Sequence, residues 1–300
     1  MSRPSHYAAH ADFIAPARGT MGMRPVILGF IIVESLYQIG LRLLGLGLQR
    51  LDPALANAAR DGDTALGLLI NLGSFILFGL CIALVVQVVH GRSVASLLGP
   101  AAGFMAQFRS TFVHVALLFL AIEALFGGFV TGPDATIRPL AGWLLLLGPA
   151  LVALLIQTGS EELFYRGYLQ QRIAVLMPHP AAWLILPNIA FALAHWDGYA
   201  PMIENAAYVL WAFFFGLAAS DLTARAGNLG PAMALHLANN AYAFLFFAEK
   251  GGVDSGLALV LFDPASVPIP PADNLLTTGL PGELMLLALT WAAARLAIAR

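Results

Sequence analysis

Thr158-Gly-Ser-Glu-Glu-Leu-Phe-Tyr-Arg-Gly-Tyr-Leu-Gln-Gln-Arg172 follows an apolar run from Leu140 to Ile156, so two adjacent carboxylates stand at the edge of a segment of membrane length. On a helix Glu162 and Arg166 are four residues apart and share a face, so they can pair. Glu161 is turned about 100° away, with Tyr165 as its own i+4 neighbour. One carboxylate is thereby matched and the other left free. An ionisable group at the centre of a membrane helix costs about 2.5–3.5 kcal/mol on insertion scales, and a chain that keeps one usually uses it. A purely structural reading makes Thr158 and Glu161 a capping box, with both glutamates at a helix N-terminus. That reading has no use for the polar residues that recur in two later apolar segments.

Working outward, hydrophobic residues are 59% of the 300, charged residues 11%, and mean hydropathy is +0.80, far from the balance of a soluble domain. The chain reads as all-α, a polytopic membrane helix bundle. At about 20 residues per span, about eight spans fill its length. The expected spans are 25–47, 64–89, 111–131, 140–158, 182–198, 206–224, 230–248 and 279–298, after an N-terminal tail over 1–24. No small-residue cleavage site closes the first apolar run, which reads as an uncleaved anchor. Residues 249–278, with Pro264, Pro268, Pro270 and Pro271, are expected to be an irregular outer loop.

Cys81 is the only cysteine, which excludes an internal disulfide and a cysteine metal cage. A net charge of -2 and scattered basic residues give no nucleic-acid surface. The basic residues report orientation instead. With the N-terminus inside, Arg3, Arg18, Arg24, Arg92, Arg109, Arg166, Arg172, Arg225, Arg295 and Arg300 face the cytoplasm, against Arg50, Arg60, Arg138 and Lys250 outside. Both termini are therefore expected to be cytoplasmic, in an integral protein of a bacterial inner membrane.

Segment five ends in Phe191-Ala-Leu-Ala-His195-Trp-Asp, and segment seven carries His236-Leu-Ala-Asn239-Asn240. A free glutamate, two imidazoles and a carboxamide in neighbouring helices suit water activation. Glu161 can take a proton from water that His195 also holds, while His236 and Asn240, four apart on one face, donate to a developing oxyanion. Asn239 is also within reach of His236, at i+3.

These motifs together, Glu161-Glu162-x-x-x-Arg166-Gly167-x-Leu169, Phe191-x-x-x-His195 and His236-x-x-x-Asn240, resemble the CPBP intramembrane proteases. That group includes the type II CAAX prenyl endopeptidases and bacteriocin-immunity-like proteins of the ABI family. The match covers about residues 140–248, the expected catalytic core. The resemblance implies an eight-helix bundle whose site lies within the membrane, open toward the cytoplasm. It implies that Glu161 and His195 activate water and that His236 and Asn240, not Asn239, form the oxyanion hole. Glu162 and Arg166 would shape the site, and the substrate would be a membrane-embedded or lipidated peptide or protein.

On this reading no metal is required. Two His and one Glu would also make a catalytic zinc set with water, although no His-Glu-x-x-His helix is present. A transporter or a non-catalytic immunity or scaffold protein is the competing class; a transporter is expected to show paired broken helices, and none is legible. One geometric tension remains. With segment five starting near Ala182, His195 lies about 20 Å deep, whereas His236 is about 9 Å into segment seven. Glu34, Gln38, Arg42, His114 and Glu123, polar residues of the first and third spans, are expected to pair between helices.

Overall fold

The computed structural model describes residues 6–19, 22–126, 134–198, 200–263 and 274–299. Arg3, Arg300 and the four prolines of the expected outer loop lie outside them.

Helix α1 (His10–Ile14) runs into a 3-10 turn over Ala15–Gly19, and α2 (Met23–Leu51) is the first long apolar helix. Asp52 then ends one helix and starts the next. Its side chain accepts from the amides of Ala54, at 2.9 Å, and Leu55, capping α3 (Pro53–Asp61) with proline at the first position. Gly62 closes α3 at φ +64°, the left-handed conformation that glycine adopts freely. Helices α4 (Ala65–Gly73) and α5 (Ile76–Val88) make up one span, α6 (Ala95–Leu98) is a single turn, and α7 (Phe104–Phe126) returns.

After strand β1 (Thr136–Ile137), α8 (Leu140–Glu162) continues through a π-helix over Leu163–Gln170 into α9 (Gln171–Leu176). Helices α10 (Pro180–Leu193), α11 (Met202–Ala226) and α12 (Gly230–Leu245) follow. Strands β2 (Phe247–Glu249) and β3 (Val260–Phe262) join β1 in a small sheet of order β1-β3-β2. A π turn over Leu275–Gly279 leads into α13 (Leu280–Ile298).

Six helices among the described residues are long and apolar enough to cross a membrane. Exposed Ile27, Leu28, Ile31, Ile39 and Leu43 on α2 make the lipid-facing surface such a bundle needs. With 14 and 16 residues, α10 and α12 complete about eight helical segments but are too short to cross alone. The expected span 140–158 is an underestimate. The helix does not stop where hydropathy falls, because the polar residues after Ile156 are satisfied inside the protein. Thr158 is therefore mid-helix, its hydroxyl donating to the carbonyl of Leu154 at 2.8 Å, and the capping-box reading is wrong.

The two ends of the bundle are built differently. At the end bearing the termini, Tyr7 donates to Asp221 at 2.7 Å, Arg172 to the carbonyl of Ala17 at 2.7 Å, Leu229 N to Leu98 O at 3.0 Å and Ser110 to Ala297 O at 3.1 Å. His10, Phe13 and Ala17 are buried, so residues 6–19 pack as part of this end. At the other end Asp254 N bonds to Asp61 O at 2.9 Å, Arg138 clamps the carbonyls of Ser255 and Gly256, and Trp143 donates to those of Leu245 and Leu257.

Candidate active site

The site begins where α8 passes into the π-helix. Glu162, with no exposed surface, accepts from Arg166 at 2.8 Å, the i,i+4 pair that the spacing predicts. Arg166 is also fully buried; its Nη2 donates to Asn188 at 3.2 Å, and its guanidinium lies 4.5 Å from the Phe191 ring centroid. Asn188 in turn donates to Ser220 Oγ at 2.8 Å and to Leu184 O at 2.6 Å. Gly216 makes room for it, since a Cβ there would stand 2.4 Å from Asn188 Oδ1. A π-helical turn is wider than an α turn and recurs at functional sites. Here it directly follows the two glutamates.

Glu161 belongs to a different environment. Its Oε1 accepts from Gln157 at 2.7 Å, while the buried Oε2 makes no hydrogen bond and lies 3.6 Å from His236 Nε2. It lines a cavity of about 930 Å³ that it shares with His195, His236, Asn239 and Asn240. Glu162 and Arg166 do not line this cavity; they sit behind it. The spacing argument that separated the two glutamates is thus reproduced in the packing.

Both imidazoles have one nitrogen committed. His236 Nδ1 lies 2.8 Å from Glu162 Oε1, which also accepts from Arg166. A carboxylate only accepts, so the proton of this bond belongs to Nδ1, and Nε2 is left toward Glu161. His195 Nδ1 lies 2.7 Å from the carbonyl of Phe191, which fixes the same tautomer and leaves its Nε2 as an acceptor. The ring of Phe191 packs near both histidines, with centroids 4.5 Å from His195 and 6.1 Å from His236.

The apparent mismatch in depth disappears for a structural reason. Pro180 at the start of α10 is exposed, whereas Leu229, Gly230, Pro231 and Ala232 are all buried. Helix α12 therefore begins inside the protein, so that His236, six residues after Gly230, and His195, fifteen after Pro180, both reach the same cavity.

Asn240 donates to Gln157 Oε1 at 2.8 Å and accepts from Asn239 at 3.2 Å, giving a relay Asn239–Asn240–Gln157–Glu161. Gln157 and Asn188 were missed in the sequence. Gln157 has a local signal, a polar residue four before Glu161 on the same face, whereas Asn188 has none beyond being an amide in an apolar helix. Of the other polar residues, Glu123 accepts from Tyr242 across α7 and α12, as interhelical pairing predicts. Glu34 and Gln38 line the cavity instead. Arg42 lines a separate cleft with Asn71 and Ser74, and His114 bonds to the carbonyl of Ser110 on its own helix at 2.7 Å.

Among the described residues no three His, Cys, Asp or Glu side chains gather closely enough to hold a metal ion.

Residues 141–242 match the family model described as type II CAAX prenyl endopeptidase Rce1-like. This stretch holds Gln157, Glu161, His195, His236 and Asn240, and leaves α2 to α7 and α13 outside it. A protein of Bacillus subtilis (strain 168) described as uncharacterized protein YyaK is 30% identical over 156 residues, 50% of this chain and 51% of its own length. The chain thus spans about half the length of the curated relative it matches. No solved structure gives a significant match.

Proposed function

We propose that the protein is an intramembrane endopeptidase that hydrolyses a peptide bond of a membrane-embedded or lipidated polypeptide with water activated by Glu161. The observation that carries this reading is Glu161 Oε2, buried at a cavity without a hydrogen bond while Oε1 is held by Gln157. A water beside Oε2 gives one proton to Glu161, and His195 Nε2 accepts the hydrogen bond of the other. The hydroxide adds to the carbonyl carbon, and the amide of Asn240 faces the developing oxyanion. Collapse of the tetrahedral intermediate returns the proton from Glu161 to the leaving amine.

His236 fits the second oxyanion donor when it carries two protons. No metal is required on this reading. Tyr37, Phe75, Phe78, Tyr208 and Trp211 in the lining suit an extended apolar segment. Its charged lining residues apart from histidine are Glu34, Glu161, Glu204, Asp254 and Glu283, which favours neutral or basic flanks over acidic ones. The buried layer of Arg166, Asn188 and Ser220 beneath the cavity disfavours a transport path.

The test compares membrane proteomes of cells carrying the protein or its Glu161→Gln variant. Cleaved membrane-protein fragments are expected to fall with the variant, and with a fragment-derived peptide turnover drops by roughly 10²–10⁴, the share a general base supplies. Thermal unfolding of the variant stays unchanged. A fully active Glu161→Gln protein would refute the assignment.

A further inference from the structure

The cavity is closed toward one end of the bundle and reaches the other. At its deep end stand Glu161, His236 and Phe215, and beyond them Arg166, Gln170, Arg172, Asn188 and Ser220 are fully buried. From there its walls pass along the opposite halves of the same helices, Gln157 on α8, Glu204 on α11 and Phe244 on α12, to Asp254 and Leu275. Asp254 contacts Asp61 and Gly62 at the α3–α4 turn. This is the end away from the described terminal residues 6–19 and 299.

The two ends differ in basic charge. Arg18, Arg24, Arg92, Arg109, Arg172, Arg225 and Arg295 lie at the closed end, and Arg50, Arg60, Arg138 and Lys250 at the open one. Seven against four, on short loops and helix ends, puts the closed end in the cytoplasm. Cytoplasmic termini, expected from the basic residues, and a site open toward the cytoplasm, implied by the family resemblance, are therefore incompatible in this fold.

We infer that substrate enters from the extracytoplasmic face, so that the bond cut belongs to an extracytoplasmic or outer-leaflet segment and not to a cytoplasmic tail. As to substrate, this rests on the peptidase reading; as to the side of access, it stands without it.

Access is measured by cysteine labelling of the full chain in native membranes, in a Cys81→Ala background, with a charged maleimide that does not cross the bilayer. Ala207→Cys and Ala243→Cys each place a thiol in the cavity wall, away from the reacting groups. Asn57→Cys reports the open end and Ser93→Cys the closed end. Because a charged reagent does not cross hydrocarbon, both cavity thiols and Asn57→Cys should label roughly tenfold or more faster in spheroplasts than in inverted vesicles, and Ser93→Cys the reverse. Two cavity positions guard against one failing to fold, and each variant is first checked for an unaltered size-exclusion profile in detergent. Cavity labelling that follows Ser93→Cys, shows no side preference or is absent overturns the inference, as does Asn57→Cys labelling faster in inverted vesicles. Labelling needs no turnover, so an active Glu161→Gln protein would end the peptidase reading and leave this result standing.

Discussion

The closed and open ends of the bundle hold similar polar residues to opposite effect. Toward the closed end, Arg166, Gln170, Arg172, Asn188 and Ser220 lie in a layer without solvent exposure, and the hydrogen bonds of Arg166, Gln170, Asn188 and Ser220 tie the π-helix, α10 and α11 together. Toward the open end, Glu34, Asn71, Asn239 and Glu283 face a large cavity. The boundary falls between two consecutive residues. Glu162 is held by Arg166 and His236 at 2.8 Å each, whereas Glu161 keeps one oxygen unbonded. A turn of about 100° per residue puts the ion pair on one carboxylate and the cavity wall on its neighbour.

The largest effect that bears on this contrast is expected at Glu162. Glu162→Ala leaves Arg166 buried without its counter-charge, which costs about 3–5 kcal/mol, and also removes the acceptor that orients His236. Thermal unfolding in detergent reads the loss, and a Glu162→Ala protein as stable as the parent would mean that the closed end is not held by this pair.

Asn240, on the open side, should behave in the opposite way. Removing a donor aimed at an oxyanion lowers the turnover number by roughly 10²–10³ with little change in the Michaelis constant. Asn240→Ala is therefore expected to be slow, stable and still able to bind. Asn239→Ala serves as its control, because Asn239 touches the relay only through Asn240. If Asn239→Ala proves the slower of the two, the oxyanion role moves away from Asn240.

The smallest effect is a pH dependence confined to the closed end. Burial against Trp183 and Phe13 pushes the His10 imidazole down from 6.5 to about 4, with Gln170 Nε2 at 3.3 Å as its polar neighbour. The unfolded chain binds this proton more readily than the folded one. Stability is thus complete above 6.5 and declines as the pH falls from 6.5 toward about 4. A His10→Phe variant should show a shallower decline of the unfolding midpoint over that window; an identical decline would assign the acid sensitivity elsewhere.

What was legible in the sequence was local or periodic. The Glu162–Arg166 pair follows from i,i+4 spacing, and the separate fate of Glu161 follows from the same rotation. The helical bundle follows from apolar runs of membrane length. What was hidden depends on contacts between distant segments. The Glu162–His236 bond joins residues 74 apart, and the docking of residues 6–19 onto the bundle includes Tyr7 reaching Asp221, 214 residues on. Hydropathy misplaced the end of α8 for the same reason, since it scores Gln157 to Arg172 as solvent-seeking when their partners are other helices.

The continuous rod from Leu140 to Leu176 has a consequence for biosynthesis. At 37 residues it is about 55 Å long, well beyond the roughly 30 Å of a hydrocarbon core. Its charged portion is made before the helices that neutralise it. Arg166 emerges just after Glu162, but Asn188 follows 22 residues after Arg166, and His236 only 74 after Glu162. At about 5–20 residues per second, Glu162 waits some ~4–15 s for its histidine. During that interval the nascent segment carries an incompletely paired cluster, and it settles into the bilayer only as a unit with the helices that arrive later.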